Sequence, residues 1–89
     1  MRVKVRTIGE GLHPNELVVE VKTVSGAEQL VVDRRSVNAN SVSVGAPLRS
    51  DRDNQLVELP RETMSGLWRV WVKSNSLSPD SSAVFATWS

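Results

Sequence analysis

The chain has no cysteine and no tyrosine, and only one histidine and one phenylalanine beside three tryptophans in 89 residues. Without cysteine there is no disulfide framework, no thiolate nucleophile, no cysteine-ligated zinc and no iron–sulfur cluster. A chain this short then holds itself by packing or by association. One histidine alone cannot build a usual zinc site, and no serine or aspartate stands in a sequence relation to His13 that makes a nucleophilic triad. No P-loop, G-x-G-x-x-G, nucleophile elbow or H-E-x-x-H is present either. The composition therefore predicts a protein that is not an enzyme, with no cofactor, no metal and no catalytic residue.

An excess of one charge is also missing, since eleven Lys and Arg stand against ten Asp and Glu. There is no global field to attract nucleic acid or an anionic membrane, so any such binding has to come from a local patch. Long hydrophobic runs are absent as well, and nothing approaches the roughly 18 apolar residues of a membrane span. The first residues, Met1-Arg2-Val3-Lys4-Val5-Arg6, alternate charge and valine, unlike a secretory signal. By default this predicts a cytoplasmic protein with no membrane partner.

What the chain does have is period-two alternation. Residues 2 to 8 place Arg2, Lys4 and Arg6 on one face and Val3, Val5 and Thr7 on the other, a half-buried strand. Glu16 to Val24 is the longest β-branched run, with Leu17, Val19 and Val21 on one side. Ser25-Gly26-Ala27 then supplies a tight turn, and Glu28 to Asp33 returns with Leu30 and Val32 inward. Residues 33 to 40 read as a loop with room for one helical turn. Ser41 to Val44 is a short strand, and Leu48 to Asn54 a hydrophilic turn.

Gln55 to Lys73 reads as two strands around a proline-bounded connector. Pro60 to Gly66 suits a single helical turn, with Pro at its first position and Gly at its end. In the second strand Trp68, Val70 and Val72 face one way, and Leu67, Arg69, Trp71 and Lys73 the other.

No segment shows convincing helical periodicity. The pattern predicts an all-β fold, a small antiparallel barrel or open roll of six to seven short strands, SH3-like or OB-like in size, with at most one short helical turn. Its predicted core is Val3, Val5, Leu17, Val19, Val21, Leu30, Val32, Val42, Leu56, Trp68, Val70 and Val72. Residues 1–73 form the expected β domain and 74–82 a serine-rich linker. Residues 83–89 are a terminal segment, strand or short helix, docking on the domain or on a partner.

One constellation invites a functional reading. Trp71 lies between the cations Arg69 and Lys73, as a stacking platform for single-stranded nucleic acid requires. The competing reading is that cation stems, a neighbouring element or a second subunit cover the ring, and near-neutral charge with few aromatics favours covering. The basic stripe of Arg2, Lys4 and Arg6 reads as a solvated face paired across to Glu16 or Glu20, or alternatively as phosphate contacts. Asp51, Asp53 and Glu62 match three positions of a calcium loop, but Gln55 and Leu56 stand where its fifth ligand and its glycine belong. Arg61, at a strand exit, joins Leu67, Arg69, Trp71, Lys73 and Trp88 as a candidate binding residue. The sequence thus predicts a non-catalytic protein-interaction or assembly module whose partner is another protein or itself, as a homo-oligomer. The alternative is a nucleic-acid-binding small barrel using Arg69, Trp71 and Lys73.

Overall fold

The computed structural model of the chain describes residues 1–79. Within them lie nine strands: β1 (Arg2–Lys4), β2 (Arg6–Glu10), β3 (Glu16–Thr23), β4 (Gly26–Asp33), β5 (Ser41–Ser43), β6 (Arg49–Asp51), β7 (Asn54–Glu58), β8 (Arg69–Lys73) and β9 (Leu77–Ser78). They form three antiparallel sheets of three strands, in the orders β5-β1-β9, β2-β3-β4 and β6-β7-β8. The fold is all-β, and the three sheets do not close into a barrel.

The extra strands arise where alternation runs through a point at which the chain changes sheet. Residues 2 to 10 are not one strand. They divide at Val5, so that β1 pairs with β5 and β9 while β2 pairs with β3. Val5 stays buried, and its N–H donates to the Asn40 carbonyl at 2.9 Å. Thr7, expected inward, is exposed, and the register of β2 shifts between Thr7 and Gly9, a bulge that re-aims the strand. Arg49 to Asp51, read as turn, pairs with β7 across a two-residue turn in which Arg52 takes a left-handed φ of 58°. Another tight turn, Asn38 to Ser41, has φ of 53° at Ala39 and 57° at Asn40, the two positive values of a type I′ hairpin.

Helical structure among the described residues is two single 3₁₀ turns, against the one expected. Arg34–Ser36 lies in the loop where a turn fitted, capped by the Asp33 carboxylate, which accepts from Arg35 N–H at 2.8 Å. Ser74–Ser76 begins the serine-rich stretch, and Leu77–Ser78 then pairs with β1. Pro60 to Gly66 forms no helical turn.

The core contains ten valines and two leucines: Val3, Val5, Val19, Val21, Leu30, Val32, Val42, Val44, Val57, Leu59, Val70 and Val72. All three sheets contribute to it. Leu17, expected in the core, is partly buried against its edge. Leu56 and Trp68 are corrections. The β7–β8 register sets Val57 opposite Val70 and Leu56 opposite Trp71, so Val57 and Leu59 point inward and Leu56 outward. Trp68 precedes β8; its carbonyl accepts from Leu59 N–H at 2.8 Å, Leu59 fills the core edge, and the indole stays 52% exposed. Trp68 lies beyond the last pair of the β7–β8 ladder, Glu58 with Arg69, where strand alternation no longer sets its direction.

Because Leu59 is buried and Leu56 is only half-buried, truncating each tests the phase of β7. Leu59→Ala is expected to cost about 2–5 kcal/mol and Leu56→Ala less than half as much, read by urea denaturation. Equal costs would contradict the observed register.

Candidate interaction site

The β7–β8 connector, residues 59 to 68, is held at its base and its tip. At the base, Leu59 N–H donates to the Trp68 carbonyl. At the tip, Thr63 is the buried polar residue of the chain's described part, 4% exposed. Its N–H donates to the Leu67 carbonyl at 2.8 Å, and its Oγ1 accepts from Leu67 N–H at 3.0 Å. Gly66 N–H closes the turn onto the Thr63 carbonyl at 2.9 Å, with Gly66 at φ 94°, a value that a side chain would strain. Thr63 thereby satisfies backbone groups that a helix would have paired internally.

The tip is also fastened to the neighbouring sheet. Met64 N–H donates to the Gln29 carbonyl of β4 at 2.8 Å, and Ser65 Oγ donates to Glu28 Oε1. That hydroxyl, and behind it Thr63, hold the Glu28 carboxyl below its ordinary value, with partial desolvation opposing them. The result is an ordered loop that turns three large apolar side chains outward: Met64 at 62% exposed, Leu67 at 43% and Trp68 at 52%.

Of the residues singled out from sequence, Leu67 belongs to this loop. Arg69, Trp71 and Lys73 share the outer face of β8 as alternation requires, but they form no open platform. Trp71 is half-buried and faces Leu56 across the ladder, while Arg69 Nε meets Glu58 Oε2 at 3.3 Å. On the far side of β8 the Trp71 carbonyl accepts from Val24 N–H at 2.8 Å, which ties β8 to the end of β3. Arg61 is exposed, and its charge contributes to keeping Asp33 below its ordinary value, after the dominant Arg35 N–H bond. Trp88, Phe85 and the whole 83–89 segment lie outside the described residues.

The basic stripe is divided. Arg2 is half-buried and donates to Ser41 Oγ and to the Ser41 carbonyl, both at 2.8 Å; Arg6 meets Glu20, its cross-strand partner, at 3.5 Å; Lys4 is exposed. His13 and Glu62 are both exposed. Among the described residues no group of three His, Asp or Glu side chains is gathered that would hold a metal, and no helix is long and apolar enough to cross a membrane.

Sequence reasoning missed Thr63, Ser65, Met64 and Glu28, and it placed Trp68 in the core. A signal was present in Thr63-Met64-Ser65-Gly66: two hydroxyls and a glycine within four residues suit a hydroxyl-braced turn as well as a helix end. No family model, curated protein or solved structure matches the chain in comparisons with known proteins.

Two measurements probe this loop. Thr63→Val keeps the shape but leaves Leu67 N–H without its acceptor, and is expected to cost about 1–3 kcal/mol. Ser65→Ala removes the main cause of the lowered Glu28 pKa, so a carbon-detected carboxyl titration should show that pKa rising towards its ordinary value of 4.5. A carboxylate lowered in the folded state stabilises above its unfolded pKa and loses that contribution as pH falls through the folded one. The parent should therefore lose loop stability only below about pH 4.5, and the Ser65→Ala chain should show less of this acid-dependent loss.

Proposed function

We propose that the protein is a non-catalytic protein-interaction module that assembles with itself through the β7–β8 connector. The observation that carries this reading is the ordered exposure of Met64, Leu67 and Trp68 on a loop fixed by Thr63, Gln29 and Glu28. Exposed apolar residues scattered singly are ordinary, but three on one short, braced turn make a patch. Bracing matters energetically, because a contact loop already held in place loses little conformational freedom on binding. Tryptophan is the residue type that most often dominates such contacts.

The scaffold reads best as an open roll of SH3-like size. Main-chain bonds from Val24 to Trp71 and from Met64 to Gln29 join neighbouring sheets without completing a cylinder. The nucleic-acid platform at Arg69, Trp71 and Lys73 has less support, since Glu58 engages Arg69 and Trp71 offers only part of its ring.

Light scattering after size-exclusion chromatography, over a concentration range of about tenfold or more, tests the proposal. The parent is expected to be a dimer or larger, and Trp68→Lys a folded monomer, with association weakened at least about 30-fold. Met64→Ser should move the equilibrium in the same direction by less. A parent that stays monomeric throughout, or a Trp68→Lys chain that associates like the parent, would overturn it.

A further inference from the structure

The charge of the chain is nearly balanced overall but not locally. Where the chain passes from β1 to β2 a groove of about 820 Å³ opens, lined by Lys4, Arg6 and Lys22 together with Asn40 and Asn75. A second hollow of about 440 Å³ continues from it past Arg2, sharing Lys4, Asn40 and Asn75. Four of the chain's eleven cations thus line one continuous surface, and among the described residues Glu20 is the carboxylate beside them. Glu20 is engaged by Arg6 at 3.5 Å. Arg2 is held by hydroxyl and carbonyl oxygens of Ser41 and by the Ser36 carbonyl, none of which neutralises its charge. Lys4 and Lys22 are exposed and have no ion-pair partner among the described residues.

We propose that this groove binds single-stranded nucleic acid by its phosphodiester backbone. The site is distinct from the apolar loop, since Met64, Leu67 and Trp68 line neither hollow. Lys4 and Arg6 flank the break at Val5, one ending β1 and the other opening β2, and with Arg2 and Lys22 they line a run of cations suited to a linear polyanion. The asparagine amides and the Ser76 hydroxyl supply neutral donors and acceptors between the charges. An acidic peptide fits less well. Strand addition, one way a sheet takes a peptide, is hindered here: both edges of β1 are taken, by β5 and β9, and β2, whose outer edge is free, is interrupted by the bulge between Thr7 and Gly9. Among the described residues no aromatic side chain lines the groove, so the cations carry the interaction, and binding is weak, sequence-tolerant and dominated by salt.

The test is fluorescence anisotropy of a labelled oligothymidylate of about a dozen nucleotides, titrated with the full chain at several salt concentrations. With about three phosphates neutralised, the log–log salt slope is expected near −2, a roughly twentyfold loss of affinity between about 50 and 200 mM salt. The double variant Lys4→Gln, Lys22→Gln should bind about tenfold more weakly at the lower salt with a slope shallower than about −1, and Lys22→Gln alone should fall between. Both substitutions are at exposed positions, and Arg49→Gln, which removes an exposed cation outside both hollows, should bind like the parent. The proposal is overturned by no anisotropy change at low salt, by variants that bind like the parent, or by polyglutamate of matched charge competing as well as unlabelled oligonucleotide.

Discussion

Everything in this structure depends on one small core shared by three sheets, none of which is large enough to stand alone. Three-stranded sheets need a covered apolar face, and here all three turn theirs into one core cluster. The side chains that meet are almost all valines. Valine is stiff at χ1 and suits a pleated surface, but it is short, so the sheets must approach closely. The described chain is accordingly a slab, 16 Å in its smallest Cα extent against 40 and 31 Å in the others. Both described tryptophans stand outside the core, Trp68 beyond the last pair of the β7–β8 ladder and Trp71 on the outer face of β8.

The same constraint explains how the sheets are joined. Because no sheet closes on itself, the junctions rest on individual main-chain bonds: Val5 to Asn40 where the chain changes sheet, Val24 to Trp71 between β3 and β8, and Met64 to Gln29 between the connector and β4. The last of these falls within the loop that carries the apolar patch. Fold and site therefore share a fastening, and loosening the connector would both expose the edge of the core at Leu59 and disorder the contact surface. The cationic groove has a related origin. It opens where β1 and β2 part, at the price of one interrupted strand.

The sequence made the strands legible wherever valine alternated with polar residues. Val3, Val19, Val21, Val42, Val70 and Val72 all face inward as period two requires, and the β3–β4 hairpin forms, although its turn is Val24–Ser25 and Gly26 already pairs with Thr23. It was less informative where alternation is blind to geometry. A change of sheet at Val5 leaves the alternation of the sequence intact while altering every pairing partner, so one apparent strand became two and Thr7 beyond the break is exposed. In Gln55-Leu56-Val57-Glu58-Leu59 both phases offer apolar residues, and only the register against β8 decides between them. Trp68 has the inward parity but lies beyond the last pair of the ladder, where parity no longer dictates direction. As for the site, Leu67 was visible as an outward apolar residue. The role of Thr63 was not, because its value comes from burial and from bonds to a residue four positions on.

The claim on which the rest turns is that the core excludes tryptophan and leaves Trp68 at the surface. It is tested most directly with Trp68 as the sole tryptophan, in a Trp71→Phe, Trp88→Phe chain, by acrylamide quenching and emission maximum at high dilution, where association is suppressed. The structure predicts a red-shifted emission and ready quenching, short of the unfolded chain's because about half of the residue is covered. A blue-shifted emission shielded from acrylamide in the dilute folded chain would place Trp68 in the core and contradict the account.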